Sequence, residues 1–451
     1  MGSPAAAALA EPAPTSAGPV TGAVLGPAPG AGAGAGEVLE VDVAIVGGGP
    51  VGLALAILLV QEGVRVTVLE RRTERSSHSR AIGIHPPGLV ALQGTGVTGQ
   101  LTAEGVQIRR GAARTRDRSL VSIRFSRTST PYPYVLALPQ ERTETILEER
   151  LQSLDPTVLQ RGRTVTGLVD TGASVLLAGS RRASVRGAEP ASSRLASALG
   201  AETGSPDDVR ADAVAGEDAG FAVHAAFAVA ADGARSPVRS MLGAAVTERT
   251  LRDHYLMGDF PDTTGDGPTG VLYLEPEGIV ESFPLPGGKR RWVAHTRSLR
   301  TDADAKALAS MVRERTGQQP SAAGNSMLSA FSVRTALPRQ LVHGRTILAG
   351  DAAHEVSPIG GQGLTLGWLD AAELAPLLAA GVRGENVQAQ LVQFDRRRRR
   401  AARIASAQAR LNMALGRPLP ARLMRVRNTA LSILFRAQPV SDLVARRFTM
   451  Q

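Results

Sequence analysis

The chain has 451 residues, of which 43% are hydrophobic and 20% are charged, a balance typical of a folded globular protein. It contains no cysteine, which excludes disulfides, thiolate metal sites, cysteine-held iron–sulfur clusters and cysteine nucleophiles. The formal net charge is +10, and all but two of the 51 basic residues are arginine. Such an excess is also found in nucleic-acid-binding and membrane-binding proteins, but an arginine-rich surface explains it without either partner.

Two stretches are predicted to lie outside the folded core. Residues 1–37 are almost entirely alanine, proline and glycine and lack the pattern of a signal peptide, so we expect a disordered tail. Residues 181–220, rich in Ala, Ser, Gly and Asp, lie between two strand-like runs and predict a surface insertion. No uncharged apolar run reaches the ~18 residues of a membrane span, so we expect a cytoplasmic protein, at most peripheral at a membrane.

The first nucleotide-binding signature follows a β-branched run at residues 41–46. Gly47, Gly49 and Gly52 have the spacing G-x-G-x-x-G, and Pro50 opens a helical run. In this arrangement the first glycine makes a tight turn, the second lets a pyrophosphate approach the backbone, and the third lets helix and strand pack closely. The helix then presents its positive N-terminal end to the phosphates.

A second apolar run, residues 64–69, ends in Glu70, which lies 18 residues after Gly52. A carboxylate at this position can accept hydrogen bonds from both hydroxyls of an adenosine ribose. Strand, turn, helix, second strand and acidic residue together predict a dinucleotide site, and a purely structural glycine turn is the alternative. We include the adjacent Arg71 among the expected contacts.

The next segments predict a change of architecture. Strand-like runs at 271–274, 279–283 and 291–295 are separated by Pro-Glu-Gly and Pro-Gly-Gly turns, which indicates an antiparallel meander. From Leu369 onward the chain is rich in alanine and leucine at helical spacing, which predicts a helical end.

Two further motifs follow strand-like runs. The first, Ala-Asp-Gly-Ala-Arg-Ser-Pro, contains Asp232 and Gly233. The second begins with Gly-Asp-Ala-Ala-His around Asp351 and continues through Pro-Ile-Gly-Gly-Gln-Gly at 358–363 into a helical run. Either motif alone could be an ordinary turn.

In their order and spacing, the three motifs resemble the cofactor signatures of the class A FAD-dependent aromatic monooxygenases, the family of para-hydroxybenzoate hydroxylase. The resemblance runs from about residue 41 to residue 395. Softer matches are Arg80 in Ser-Arg-Ala and Gln140 in a Gln-x-x-x-Glu element. Residues 281–286 resemble a substrate-domain hairpin of the polyketide and ubiquinone hydroxylase branches.

The resemblance implies an α/β fold: a Rossmann-like FAD-binding domain of the GR2 type, interrupted by an antiparallel β-sheet substrate domain and followed by C-terminal helices. The expected ranges are 38–105, 136–240 and 335–395 for the FAD-binding domain, 106–135 and 241–334 for the substrate sheet, and 396–451 for the helices.

The resemblance also implies roles for single residues. Asp351 is placed to accept a hydrogen bond from the ribityl chain of the flavin, with a turn aspartate as the alternative. Asp232 and Gly233 are implied to touch the FAD pyrophosphate region and the transient nicotinamide. Amides at the start of the helix after residue 363 can stabilise negative charge on the reduced flavin. The expected cofactor contacts are Gly47, Gly49, Pro50, Gly52, Glu70, Arg71, Arg80, Gln140, Asp232, Gly233, Asp351, Pro358, Gly361, Gly363, Leu364 and Thr365.

The chain departs from the family at Thr365, where many members carry Asn after Gly-Gln-Gly-Leu. A hydroxyl replaces only part of the hydrogen bonding of an amide, so we expect altered flavin positioning with FAD binding retained.

The implied activity is hydroxylation of a phenolic ring, polyketide-derived or a prenylated quinone precursor. The reaction would use non-covalent FAD, NADPH or NADH, and dioxygen through a flavin 4a-hydroperoxide. The sequence identifies no catalytic acid or base, and its seven histidines lack metal-ligand spacing. Trp292 and Trp368 do not form the Trp-x-Trp element of flavin-dependent halogenases.

Other functions stay open at this point. Baeyer–Villiger insertion uses the same scaffold, and isoprenoid reductases of the geranylgeranyl-reductase type share the FAD signatures. A basic nucleic-acid-binding or membrane-binding protein on a nucleotide-binding scaffold is a third alternative. We expect a small aromatic substrate, no nucleic acid, and a monomer or homodimer.

The C-terminal end is strongly basic. We interpret the arginine run 396–400 as the solvated face of a helix. Further on, Leu423, Val426 and Ile433 alternate with arginines such as Arg422 and Arg425. This stripe either covers the FAD domain or lies in a membrane interface.

Overall fold

The computed structural model describes residues 37–75, 81–125, 130–181, 219–435 and 437–450. The predicted N-terminal tail, apart from its last residue, lies outside the described residues, as do Arg80 and most of the predicted insertion. The strands are β1 Glu37–Val46, β2 Val66–Glu70, β3 Gly83–Ile84, β4 Val106–Ile108, β5 Arg110–Arg114, β6 Ser119–Arg124, β7 Val135–Ala137, β8 Leu159–Arg161, β9 Arg163–Asp170, β10 Val175–Arg181, β11 Ala219–Ala230, β12 Val246–Pro261, β13 Thr269–Tyr273, β14 Val280–Leu285, β15 Lys289–Thr296, β16 Met327–Pro338, β17 Val342–His343 and β18 Thr346–Leu348. The helices are α1 Pro50–Gln61, α2 Pro86–Ala91, α3 Thr98–Glu104, α4 Gln140–Leu154, α5 Pro237–Met241, α6 Ala305–Thr316, α7 Gln362–Val382, α8 Gln388–Gly416, α9 Ala421–Leu434 and α10 Gln438–Phe448.

A largely parallel sheet carries the nucleotide motifs. Its strand order is β17-β18-β11-β1-β2-β8, and the antiparallel strands β10 and β9 extend it beside β11. Along β1, Val43 and Ile45 pack in one cluster with α1, whereas Ala44 and Val46 pack in a second cluster with β9 and β10. Burial on both faces explains why this strand is a continuous apolar run. The predicted α/β fold is confirmed.

The parallel pairing brings the three motifs together. Strands β2 and β11 both run parallel to β1, and β18 runs parallel to β11. The residues that follow these strands therefore meet at one edge of the sheet, where ligands of open α/β sheets bind. The glycine turn, Glu70, Asp232 and Asp351 lie at this edge.

A seven-stranded sheet forms the opposite half of the molecule, in the order β16-β12-β15-β14-β13-β5-β6. Its pairs are antiparallel except for β13 with β5, which is parallel. One face packs against α6 through Trp292, Leu308 and Val312. The predicted meander is confirmed as β13, β14 and β15. Strand β4 lies within the range predicted for the substrate sheet, but it pairs with β7 in a small separate sheet that also contains β3. The domain boundaries stay predictions.

The helices at the C-terminal end correct one interpretation. The arginine run 396–400 lies inside α8, but Arg398 is only 7% exposed and its Nε donates to Asp370 Oδ1 over 2.6 Å. Asp370 belongs to α7, so the ion pair joins the two helices. The prediction of a solvated face is therefore wrong for Arg398, because a buried carboxylate binds it. No helix in the described ranges is long and apolar enough to cross a membrane.

The seven-stranded sheet contains a testable buried ion pair. Arg291 donates from Nε and Nη2 to the two carboxylate oxygens of Asp259, at 2.7 and 2.8 Å, across β15 and β12. We expect Asp259→Asn to lower the free energy of unfolding by about 3 kcal/mol, because it removes the counter-charge of a buried guanidinium. The exposed pair of Arg300 with Asp302 provides the control, and Asp302→Asn should leave stability unchanged in chemical denaturation. Equal stabilities of the two variants would contradict this assignment.

Candidate functional site

The edge of the parallel sheet and one face of the seven-stranded sheet enclose a cavity of about 830 Å³. This volume lies toward the upper end of the range for small-molecule sites. Helices near the C-terminus complete its wall with Asn412 from α8, Leu431 from α9 and Phe448 from α10. Leu431 of the basic C-terminal end therefore faces the cavity, whereas Leu423, Val426 and Ile433 of the stripe do not line it.

Two glycines of the first motif are required by close packing. At Gly47, which has φ +110°, an added Cβ would lie 2.4 Å from the carbonyl oxygen of Ala231. At Gly52 it would lie 2.0 Å from the carbonyl oxygen of Gly47. Any side chain at either position would force the turn open.

Gly49 differs, because a Cβ there would meet no atom within 4 Å and the residue lines the cavity. It is the N-cap of α1, and no side chain caps that end of the helix. The first amides of α1 therefore face open space, which makes them available to an anionic group.

Glu70 is buried at the end of β2 and accepts four hydrogen bonds. Its Oε2 accepts from the Gly48 amide over 2.8 Å and from Arg72 Nη2 over 3.4 Å, and its Oε1 accepts from the Arg72 amide and Arg72 Nε, both over 2.9 Å. Burial opposes ionisation, but the bonds from Arg72 and Gly48 outweigh it and keep the pKa of Glu70 below its usual value. A fixed carboxylate thus faces the cavity beside the glycine turn.

A second carboxylate lies across this end of the cavity. Gln140, in the first turn of α4, donates from Nε2 to Glu144 Oε1 over 2.8 Å, and both residues line the cavity. Burial raises the pKa of the Glu144 carboxyl. The Gln-x-x-x-Glu spacing thus places one helical turn of α4 at the site.

Asp232 has a carboxylate oxygen without a partner. Its Oδ2 accepts from the Val238 amide over 3.1 Å, whereas its buried Oδ1 has no hydrogen-bond partner within the described residues. Burial raises the pKa of this carboxyl. At the adjacent Gly233, φ is +86° and a Cβ would meet nothing within 4 Å. A polar group of a ligand would satisfy the free oxygen.

Asp351 follows β18 and lies deep in the fold, yet its carboxylate is accessible because it faces the cavity. Burial raises its pKa, and it makes no hydrogen bond to another described side chain or amide. This carboxylate is thus available to a hydroxyl or amide of a ligand.

The loop 358–363 is shaped by two left-handed glycines, Gly360 at φ +99° and Gly361 at φ +66°. His85 Nε2 lies 2.7 Å from the Gly360 carbonyl oxygen, so Nε2 carries the proton and donates. Burial lowers the pKa of His85 to about 4, which keeps the ring neutral. The His85 amide donates to Thr365 Oγ1 over 3.2 Å, so the Thr365 hydroxyl holds the neighbouring backbone.

A buried ionic cluster supports this loop from behind. Asp370 Oδ2 accepts from His354 Nε2 over 2.7 Å and from the Gly350 amide over 2.9 Å, while Oδ1 accepts from Arg398. Burial opposes the charge on His354, but the Asp370 carboxylate outweighs it and raises the pKa of the imidazole. The cluster ties β18 to helices α7 and α8.

Comparison with known proteins identifies the family of this chain. The family described as "FAD binding domain" matches residues 40–188 and 180–409. The chain is 31% identical over 350 residues to the rifampicin monooxygenase of Streptomyces venezuelae, covering 76% of this chain and 65% of the relative. The chain belongs to the family of FAD-dependent aromatic monooxygenases. FAD is the cofactor of this family, with NADPH or NADH as reductant.

Further relatives of this flavoprotein agree. It is 30% identical to the anhydrotetracycline monooxygenase of Streptomyces rimosus, over 77% of this chain and 64% of the relative. The chain thus spans less than two thirds of the length of these two relatives. A crystal structure of p-nitrophenol 4-monooxygenase from Pseudomonas putida has a TM-score of 0.75 at 24% identity and covers 91% of this chain and 98% of its own. The anhydrotetracycline hydroxylase structure from Streptomyces rimosus has a TM-score of 0.69 at 26% identity, covering 91% and 76%.

The flavoprotein fold brings most of the sequence-predicted site residues together. Gly52 and Thr365 do not line the cavity, and Arg80 lies outside the described residues. The predicted residues that line the cavity are Gly47, Gly49, Pro50, Glu70, Arg71, Gln140, Asp232, Gly233, Asp351, Pro358, Gly361, Gly363 and Leu364.

Sequence reasoning missed residues of the opposite wall. Glu281 and Arg291 line the cavity from the seven-stranded sheet, and His85 lines it from the turn before α2. The charged Glu281 within an apolar strand was a usable signal, but the sequence did not reveal which face of the strand it occupies. Among the described residues, no group of three or more His, Asp or Glu side chains could hold a metal ion.

The buried cluster predicts a pH dependence of stability. Because the pKa of folded His354 is raised above its ordinary 6.5, the protonated ring stabilises the fold fully below about pH 6.5, and this contribution is lost as the pH rises through the folded pKa. We expect the stability difference between wild type and His354→Gln to be largest near pH 6 and to shrink toward pH 9. Chemical denaturation at several pH values measures this difference. A difference that is constant or grows with pH would contradict the charged pair.

Proposed function

We propose that the chain is an FAD- and NAD(P)H-dependent monooxygenase that hydroxylates a phenolic, polyketide-derived ring. One observation carries the proposal: a single cavity joins the edge that bears the nucleotide motifs to an apolar sheet face. The relatives named above are monooxygenases of rifampicin and anhydrotetracycline, which supports a polycyclic aromatic substrate.

The residues at the sheet edge fit FAD. The open first turn of α1 beside Gly49 would hold the pyrophosphate, and the fixed carboxylate of Glu70 would accept from the adenosine ribose. The unpaired oxygens of Asp232 and Asp351 would accept from the pyrophosphate-linked ribityl region. Arg71 and Gln140 lie at the same end, and Arg80 stays a proposed contact on sequence alone.

When bound, FAD accepts a hydride from the nicotinamide and activates dioxygen for transfer to the substrate. The protein provides the setting for this chemistry. Glycines in the loop 358–363 leave space against the backbone, and the uncapped first turn of α7 presents amides that stabilise negative charge. Pro358, Gly361, Gly363 and Leu364 line this part of the cavity.

The opposite wall suits an aromatic ring. Leu272 on β13, Phe283 on β14 and Val293 on β15 face the cavity, with Met257 and Phe331 beside them. These side chains would bury the ring and exclude water from the reacting atoms. We propose that this sheet is the substrate wall and that the parallel sheet is the cofactor wall.

The test is NADPH consumption by FAD-loaded protein with a panel of polycyclic phenols under labelled dioxygen, followed by mass analysis of the products. We expect one phenol to accelerate NADPH consumption and to gain a single labelled oxygen atom. Oxygen inserted into a ring carbon–carbon bond would instead establish Baeyer–Villiger chemistry. Reduction of an isoprenoid without oxygen uptake would establish the reductase, which the monooxygenase relatives do not favour.

Two glycine variants separate cofactor binding from folding. Gly49→Ala should change the free energy of unfolding of the FAD-free protein by no more than about 1 kcal/mol, because the added Cβ meets open space. It should weaken FAD binding at least about tenfold, since the methyl group occupies the space of the proposed pyrophosphate. Gly52→Ala should instead unfold the turn, because its Cβ would lie 2.0 Å from Gly47 O. Titration of flavin fluorescence measures the affinity, and wild-type affinity in Gly49→Ala would contradict the placement.

A second proposal concerns peripheral membrane contact. Leu423, Val426 and Ile433 on α9 are 57%, 68% and 59% exposed, and Arg422 and Arg425 are exposed on the same helix. An apolar stripe flanked by arginines suits the surface of an anionic bilayer. The oligomeric state, monomer or homodimer, stays a prediction.

Vesicle binding tests this contact. Arg422→Glu with Arg425→Glu should lower co-sedimentation with phosphatidylserine vesicles by about tenfold or more, since each basic residue near the surface contributes about 1 kcal/mol. Lys306→Glu with Arg313→Glu on α6 makes the same change of charge on the sheet face away from the cavity. Equal vesicle binding by both double variants would contradict a specific contact through α9.

A further inference from the structure

Glu281 is a carboxylate without a partner among the described residues, in a wall that is mostly apolar. It lies on β14, where its backbone pairs with Leu272 of β13 and Val293 of β15. All three residues line the cavity. Glu281 is 7% exposed and forms no hydrogen bond or ion pair with any described residue. A carboxylate in such surroundings is costly unless a ligand pairs with it.

The surroundings of Glu281 favour the protonated form of its carboxyl group. Burial alone raises the pKa of Glu281 to about 7, because no cation in the described part of the chain is close enough to offset it. The neighbouring charges are already paired: Arg291 of β15 binds Asp259, and Arg417 after α8 binds Asp253 over 2.8 Å.

The remaining titratable neighbours are Tyr255 of β12 and His295 of β15. Their rings meet edge to face at 5.4 Å. Burial, and then the nearby Glu281, raises the pKa of the Tyr255 hydroxyl, so Tyr255 stays neutral. Burial also lowers the pKa of His295. Neither side chain supplies a positive charge to Glu281, which is left free to interact with a ligand.

We propose that Glu281 accepts the hydroxyl proton of the phenolic substrate and so orients and activates the ring. This inference rests on the proposed hydroxylation. Ile359 of the flavin-motif loop packs in one cluster with Met257, Ile279 and Val293. Val293 is the cross-strand partner of Glu281, which places the carboxylate at the meeting point of the two walls.

The proton transfer balances as follows. The phenol O–H bond breaks, its proton moves to a Glu281 carboxylate oxygen, and the electron pair of that bond enters the ring. The enriched ring carbon then bonds to the outer, electrophilic oxygen of the activated dioxygen, and the O–O bond breaks with its electron pair leaving on the inner oxygen. That inner oxygen takes up the proton that the ring carbon loses as aromaticity returns, while Glu281 returns its own proton to the phenolic oxygen.

The first test compares 1-naphthol with 1-methoxynaphthalene, which has the same ring but no hydroxyl proton. At pH 8 we expect FAD-loaded wild type to bind the naphthol about tenfold or more tightly than the ether, because the acceptor is charged. Glu281→Gln should reduce this preference to about threefold or less. The control is Glu275→Gln, which removes a half-buried carboxylate outside the cavity and should keep the wild-type preference.

Unchanged preference in Glu281→Gln, or failure of wild type to bind or to discriminate either compound, overturns the assignment. The labelled-oxygen assay is independent. If wild type prefers the naphthol through Glu281 but no oxygen is incorporated, the proposed function is rejected and Glu281 is kept as the hydroxyl acceptor. If oxygen is incorporated but Glu281→Gln leaves the preference for the naphthol unchanged, the proposed function is kept and the role of Glu281 is rejected.

A stability measurement distinguishes this role from a structural one. Because the pKa of folded Glu281 is raised, the wild type loses stability as the pH rises from about 4.5 to about 7, whereas the neutral amide does not. Glu281→Gln should therefore be more stable than wild type at pH 8 and lose that advantage near pH 4.5. A Glu281→Gln variant that is less stable than wild type at pH 8 would show a structural carboxylate and overturn the proposal.

Discussion

The parallel pairing of β1 with its two neighbours determines where the chemistry of this protein lies. Because β2 and β11 run in the direction of β1, the turns after all three strands open at one edge of the sheet. Gly47 packs so closely against Ala231 that any side chain at Gly47 would collide with the turn after β11. Residues separated by 184 positions along the chain, Gly47 and Ala231, are in this way held at one edge of the sheet.

The two walls of the cavity differ in polarity, and that difference suits a two-part reaction. The parallel edge presents carboxylates and open helix ends, as a polar dinucleotide requires. The seven-stranded sheet presents mainly apolar side chains, as an aromatic ring requires. Arg291 and Glu281 are charged residues on this second wall. Asp259 binds Arg291, whereas Glu281 has no partner among the described residues and is available to a ligand. If a phenolic ring packs against this apolar wall, its hydroxyl is the polar group that can bind the Glu281 carboxylate.

The buried charges behind the loop 358–363 hold that loop in position. Asp370 binds His354, Arg398 and the Gly350 amide, so one carboxylate connects β18, α7 and α8 behind the loop 358–363. Trp368 adds a bond from its indole to the Pro50 carbonyl oxygen at the start of α1, over 3.0 Å. These contacts hold the loop in position, since an accurate site needs a rigid support.

The sequence by itself determined the nucleotide fold and most of the residues that line the cavity at the sheet edge. Turns at Gly47 and Gly52 and the acidic strand end at Glu70 are local features, and local features can be recognised from spacing. Tertiary structure decided what depends on distant packing. It buried Arg398 against Asp370, turned Thr365 toward the His85 amide, and placed Glu281 on the cavity face of β14. The face of a strand and the partner of a charge are set by contacts between remote segments, which spacing along one chain does not encode.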